Sequence, residues 1–171
     1  MRLRSRFFNL EKMNKMPCPA PENDYLVVHT ELLRNSFQAL TGQPLIDDAL
    51  SPTDAARALF EAPFVLLSHN TEADPILTYG NLRAMEVFEL TWEELTVMPS
   101  RLTAESPNRT ERARLLQQVT EHGFINNYSG VRASKTGRRF LIEKATVWNL
   151  IGPSATLGGQ AAAFSHWRYT R

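Results

Sequence analysis

The sequence predicts an α+β protein, an antiparallel sheet with helices laid against one face. Three observations lead there. Apolar runs of strand length cluster in two places, over 64–79 and over 124–167. Between them, residues 81–121 carry three helical patterns in close succession. The segments 70–74 and 134–138, which separate neighbouring strand runs, have the length of hairpin loops.

The elements follow in order. Residues 1–23 end in "MPCPAPEND", a proline-rich stretch that reads as loop, and we expect a disordered tail there, with Met13 or Met16 as alternative starts. A helix fits 25–40: Leu26, Leu33, Phe37 and Leu40 share a face, and Gly42 stands where a terminating glycine belongs. Ser51-Pro52-Thr53-Asp54 opens a second helix, with Ser as N-cap and Pro in the first turn. Strands are expected over 64–69 and 75–79. Pro75 has no N–H to donate and so fits a strand start. Asn81 then caps a short helix, a role that stabilises by about 1 kcal/mol. Thr91-Trp92-Glu93-Glu94 is a capping box that starts another only ten residues later. A longer helix covers 106–121, with Leu115, Leu116 and Val119 as an apolar stripe. The charged run "NRTERAR", holding Arg109, Arg112 and Arg114, reads as its solvated face. Strands over 124–133, 139–151 and 159–167 close the chain. Short helices end to end cannot pack a large core alone. They make sense as a lid across a sheet, with room for a cavity beneath.

Composition narrows the function classes. The chain of 171 residues has the size of one domain with additions. No apolar run approaches the roughly 20 residues that span a bilayer, so no membrane role is expected. Arg2, Arg4, Arg6, Lys12 and Lys15 face only Glu11 in the first 15 residues. The remainder holds 14 basic and 17 acidic residues, net −3, which offers no basic face to nucleic acid. Cys18 is the single cysteine, so neither an internal disulfide nor a cysteine metal site can form. The expected location is the cytoplasm, with organelle import through the Arg-rich N-terminus as the alternative.

The arrangement β-β, short helices, long helix, β-β-β resembles the PAS domain, and several motifs are similar to the related MEKHLA domain family. They are "SHNTEADPILTYGN", "FELTWEELTVMPSRLTAE", "NRTERARLLQQVTEHGFINNYSGVR", "GRRFLIEKATVWNL" and "GQAAAFSHW", in that order over 51–167. The resemblance implies a five-stranded antiparallel PAS-like sheet with short helices on one face, preceded by N-terminal helices. It divides the chain into a tail (1–23), an N-terminal helix and linker (24–50) and a MEKHLA/PAS-like domain (51–171). It also implies a non-catalytic sensory or regulatory module that binds a small ligand or a protein partner in signalling or transcriptional regulation. Its output partner is undefined. The alternatives are a pure interaction module with a filled core, dimerising through 25–40, and a small α+β enzyme.

No chemistry-bearing motif speaks for catalysis. His29, His69, His122 and His166 lack metal-ligand spacing, and there is neither a nucleophile elbow nor a glycine-rich phosphate loop. His122 falls on the helix that carries haem in some PAS proteins, but a histidine near a helix C-terminus is explained by the dipole. Light-sensing relatives place a cysteine over a flavin, and here Cys18 lies in the tail. No catalytic residue, metal or cofactor is therefore expected. If a ligand cavity exists, the candidates to line it are Asn126 and Tyr128, alternating on the third strand, Trp148 on the fourth and Gln160 on the fifth. The small residues Gly159, Ala161, Ala162 and Ala163 would leave it volume.

Overall fold

A computed structural model describes residues 16–171. The expected tail lies outside the described residues for 1–15. From Met16 onward the chain rests on the fold: Trp92 Nε1 donates to the Met16 carbonyl at 3.0 Å, Pro19 is buried, and a 3-10 turn follows at Pro21–Asn23.

Helix α1 (Val27–Thr41) ends at Gly42, whose positive φ of 72° lets its N–H reach the Gln38 carbonyl. Helix α2 (Pro52–Phe60) starts as its cap predicts, with Ser51 Oγ accepting from the Asp54 N–H at 3.2 Å. Strands β1 (Val65–His69) and β2 (Leu77–Gly80) form a hairpin. Its loop is organised by Asn70 Oδ1, which accepts from the N–H groups of Glu72 and Ile76. Helices α3 (Leu82–Phe88) and α4 (Trp92–Leu95) follow, the second closed by the reciprocal Thr91–Glu94 capping box. A 3-10 turn at Ser100–Thr103 leads to α5 (Ser106–His122). Strands β3 (Phe124–Ala133), β4 (Arg139–Ile151), β5 (Leu157–Phe164) and β6 (His166–Tyr169) complete the chain.

The sheet is antiparallel throughout, in the order β2-β1-β5-β4-β3. The last strand was expected as one run over 159–167, but it divides at Ser165 into β5 and β6. Both halves pair with β4, on either side of Lys144, which has a φ of 53°. The kink at Lys144 bends β4, and its partner breaks to follow.

Helices cover both faces. The short helices α3 and α4, with α5, lie over Val65, Leu67, Phe140, Ile142 and Val147. The N-terminal pair α1 and α2 covers Leu66, Trp148 and Leu150 with Leu33, Phe37, Leu59 and Phe60. Alternation along β1 and β4 supplies both layers, because successive side chains point to opposite faces.

Asn81 joins the layers. Its side chain is fully buried; Oδ1 accepts from the N–H groups of Leu66 and Ala84, and Nδ2 donates to the carbonyls of Leu59 and Phe64. One amide thus caps α3, closes the end of α2 and ties both to β1. That exceeds the helix cap expected of it.

Candidate functional site

The sheet face under α5 is closed at one end and hollow at the other. At the C-terminal half of α5, Leu115 and Val119 sit on Val147. Asn149 Nδ2 donates to the Val119 carbonyl at 2.9 Å, and Gln160 Nε2 lies 3.0 Å from the Leu116 carbonyl and 2.9 Å from Thr120 Oγ1. These amides bind the helix to β4 and β5. Toward the N-terminal end of α5 the tie to the sheet is at the surface, where Arg139 Nε donates to Oε1 of Glu105, the residue that starts the helix, at 2.9 Å, and between Gln160 and Phe164 β5 offers only the small side chain of Ala162. A cavity of about 70 Å³ remains there, between α5, Phe88 of α3 and the strands.

Its walls are mainly apolar, with Leu67, Leu115, Ile142 and Phe164 among them. Six side chains bring polar groups: His69, Thr103, Arg112, Tyr128, Arg132 and Gln160. Tyr128 reaches the cavity through a β-bulge. Ile125 pairs with Val147 but Tyr128 with Ala145, so β3 carries one extra residue, and Asn127 takes a φ of 56°. The ring then folds back across Gly130, where any Cβ would stand 2.4 Å from the Tyr128 hydroxyl. Arg132, two residues on, is buried. Its guanidinium lies 5.5 Å from the Tyr128 ring centre, and Nη2 donates to the Tyr128 hydroxyl at 3.3 Å.

The electrostatics of this cavity are one-sided. Among the described residues no carboxylate lines it. Among the described residues, neither Arg112 nor Arg132 takes part in an ion pair. Burial pushes the Arg112 guanidinium down to about 10, and the neighbouring Arg132 charge pushes in the same direction. His69 sits at the end of β1, with Nδ1 2.8 Å from the Asn70 carbonyl. A carbonyl only accepts, so the hydrogen bond assigns the proton to Nδ1 and leaves Nε2 as a bare acceptor. Among the described residues that buried Nε2 makes no hydrogen bond of regular geometry; the nearby Gln160 amide turns its N–H groups to the Leu116 carbonyl, Thr120 Oγ1 and Asn149 Oδ1. Burial holds the His69 pKa below its ordinary value, so the ring is neutral near pH 7.

Of the four side chains picked from sequence, the structure brings Tyr128 and Gln160 to this cavity and not the other two. Asn126 is exposed, because the bulge at Asn127 breaks the alternation that would have aligned it with Tyr128. Trp148 is fully buried on the opposite face, edge-on to Phe37 of α1 at 4.9 Å, since β4 turns Val147 and Asn149 toward α5. Four polar lining residues are not among the candidates from sequence, namely His69, Thr103, Arg112 and Arg132. A signal for Arg112 was present: it precedes Leu115, Leu116 and Val119 by three, four and seven residues, which places it on the apolar stripe. His122 is exposed in the last turn of α5. Among the described residues no cluster of His, Cys, Asp or Glu could hold a metal ion, and no helix is long and apolar enough to cross a membrane.

Comparison with known proteins agrees with this architecture. A family model, the MEKHLA domain, matches residues 27–169 and so includes α1. The homeobox-leucine zipper protein ATHB-14 of Arabidopsis thaliana is 24% identical over 160 residues, covering 91% of this chain and 19% of that protein. The homeobox-leucine zipper protein ATHB-9 of the same plant is 22% identical over 144 residues, covering 83% and 16%. The chain thus spans less than a fifth of the length of these curated relatives. Among solved structures, the PAS domain of a protein from Colwellia psychrerythraea superposes with a TM-score of 0.56 at 15% identity, covering 68% of this chain and 94% of that one. An RNA-binding Light-Oxygen-Voltage receptor superposes with a TM-score of 0.59 at 20% identity, covering 72% and 36%. The fold is PAS-like.

Proposed function

The chain belongs to the MEKHLA domain family, and from that premise we propose that it is a non-catalytic sensory and regulatory module that takes a small ligand between α5 and the sheet. One observation carries the reading: an apolar-walled cavity into which a few polar groups converge, the composition of a small-molecule site. Helix α5 gives the site a route to an output. It is tied to the sheet by the buried amides of Asn149 and Gln160 at one end and by the surface pair of Arg139 with Glu105 at the other, so an occupant between them changes how the helix is held. The output is then read by a partner protein in signalling or transcription, in keeping with the homeobox-leucine zipper relatives, and the working compartment is the cytoplasm.

A flavin is not part of this reading. The cavity falls well below the roughly 300–1,000 Å³ of sites for drug-sized ligands, and Cys18 is exposed on the N-terminal segment. The second reading, pairing through 25–40, has one point in its favour. Leu33 and Phe37 are used against the sheet, but Val28 of α1 stands 84% exposed.

Native mass spectrometry of the purified protein, with a thermal-shift screen of metabolites, tests the proposal. A genuine ligand at a hundred times its dissociation constant adds about 2.7 kcal/mol to stability and raises the melting temperature visibly. No retained small molecule and no shift with any compound would leave the pure interaction module as the better account.

A further inference from the structure

We propose that the cavity under α5 takes a small hydroxylated organic acid, its carboxylate held by Arg112 and Arg132, its apolar body against Leu115 and Ile142, and its hydroxyl donating to His69 Nε2. This rests on the ligand-binding reading above and names the ligand's chemical class.

Three observations converge on it. First, two guanidinium groups face one cavity, close enough for each charge to oppose the other, with no carboxylate among the described residues that line it. Burying a charge without a counter-charge is costly, and proteins normally pair such groups. Arg132 gives two of its N–H groups to the Val131 carbonyl and the Tyr128 hydroxyl; neither it nor Arg112 enters an ion pair among the described residues. A carboxylate accepts from two planar guanidiniums in charge-assisted hydrogen bonds, and it would complete the site. Second, His69 Nε2 is a buried acceptor whose neighbour, the Gln160 amide, gives its N–H groups to the Leu116 carbonyl, Thr120 Oγ1 and Asn149 Oδ1, so the ligand needs an O–H as well as its carboxylate. Third, Leu67, Leu115, Ile142 and Phe164 make most of the wall apolar. An inorganic anion would leave that surface uncovered, and a second carboxylate would meet no cation there.

The test is a thermal-shift and calorimetric series on the full chain. The probes are short straight-chain acids, their hydroxylated derivatives, the methyl esters of both, and inorganic phosphate. The hydroxy acids should raise the melting temperature most, the plain acids less, and the esters not at all. Arg112→Gln should weaken hydroxy-acid binding by at least about tenfold, since it removes a charge-assisted contact. It should also leave the free protein as stable as before or more so, because it relieves an uncompensated charge; a merely structural arginine would destabilise on removal. His69→Phe should erase the preference for hydroxy over plain acid and keep the preference for acid over ester. Equal shifts from acid and ester would overturn the proposal while leaving the cavity a ligand site for neutral molecules. Phosphate matching the acids would also overturn it, as an adventitious anion effect. Silence from every probe, together with a blank metabolite screen, would remove both this proposal and the reading beneath it.

Discussion

The two faces of the sheet are built from the same strands and differ in how they are filled. Under α1 and α2, Trp148 is fully enclosed by Leu33, Phe37, Leu66 and Leu150, and aromatic rings meet edge-on, Phe37 with Trp148 at 4.9 Å and Tyr79 with Trp92 at 6.0 Å. Three polar side chains there are joined in a chain, His29 Nε2 lying 2.9 Å from Ser68 Oγ and Ser68 Oγ 2.9 Å from Thr78 Oγ1, while the Tyr79 hydroxyl and Trp148 Nε1 are buried within apolar groups and find no partner among the described residues. Under α5 the strands present Ala162, Arg132 and a histidine nitrogen without a partner, and the helix brings Arg112, with no carboxylate beside either arginine among the described residues. The contrast separates two roles. One face holds the fold together, and the other keeps volume and charge in reserve.

Truncating one large side chain on each face breaks the comparison most sharply. Trp148→Ala should cost about 4 kcal/mol, because it empties a closed layer. Leu115→Ala borders space that already exists and loses fewer contacts, so about 2 kcal/mol is expected. Urea unfolding of the two variants checks the order; equal losses would mean that the faces are equally packed.

Asn81 belongs to both layers. Asn81→Ala leaves the N–H groups of Leu66 and Ala84 and the carbonyls of Leu59 and Phe64 without their partner. A loss of about 3 kcal/mol follows, several times that of an ordinary cap, and hydrogen exchange should reach α2 and α3 together.

Acid should act on the filled face. Burial lowers the His29 pKa to about 4 from an ordinary 6.5. Between those values the unfolded chain binds the proton and the folded one does not, so stability falls as pH drops through that window and is unaffected above it. The decline should approach about 3 kcal/mol by pH 4, with His69 adding in the same direction. His29→Gln should flatten the slope of melting temperature against pH while retaining the His69 part. A variant with the full slope would assign the acid sensitivity elsewhere.

The smallest effect is expected where space is available. Ala162→Val places two methyl groups against the hollow and should change stability by less than about 1 kcal/mol, in either direction. It should nevertheless weaken any occupant of the cavity. A loss of several kcal/mol in chemical denaturation would show that this region is as tightly packed as the Trp148 layer.

Much of the fold was legible from local signals. Ser51, Asn81 and Thr91 with Glu94 announce helix starts because a cap bonds within three residues of itself, and the hairpin loops announce antiparallel neighbours. The site was legible only in part. Tyr128 and Gln160 line the cavity, whereas Asn126 and Trp148 do not: simple alternation cannot reveal a bulge or tell which face of β4 meets α5. Arg112 was hidden by its neighbours, as a charged residue among charged residues reads as solvated even when its spacing matches the stripe of Leu115 and Val119. His69 Nε2 gave no sign at all, since a missing partner is a property of three dimensions.

The kinks at Asn127 and Lys144 have a consequence for how this hairpin can change length. Ile125 pairs with Val147, Tyr128 with Ala145 and Gly130 with Ile142, so an extra residue in one strand is cancelled by an extra residue in the other. The two act like opposed teeth of a ratchet. Deleting either alone would turn Arg132 and its neighbours inside out toward the tip of the ribbon, whereas deleting both would restore the alignment. Insertions and deletions here should therefore survive only in matched pairs.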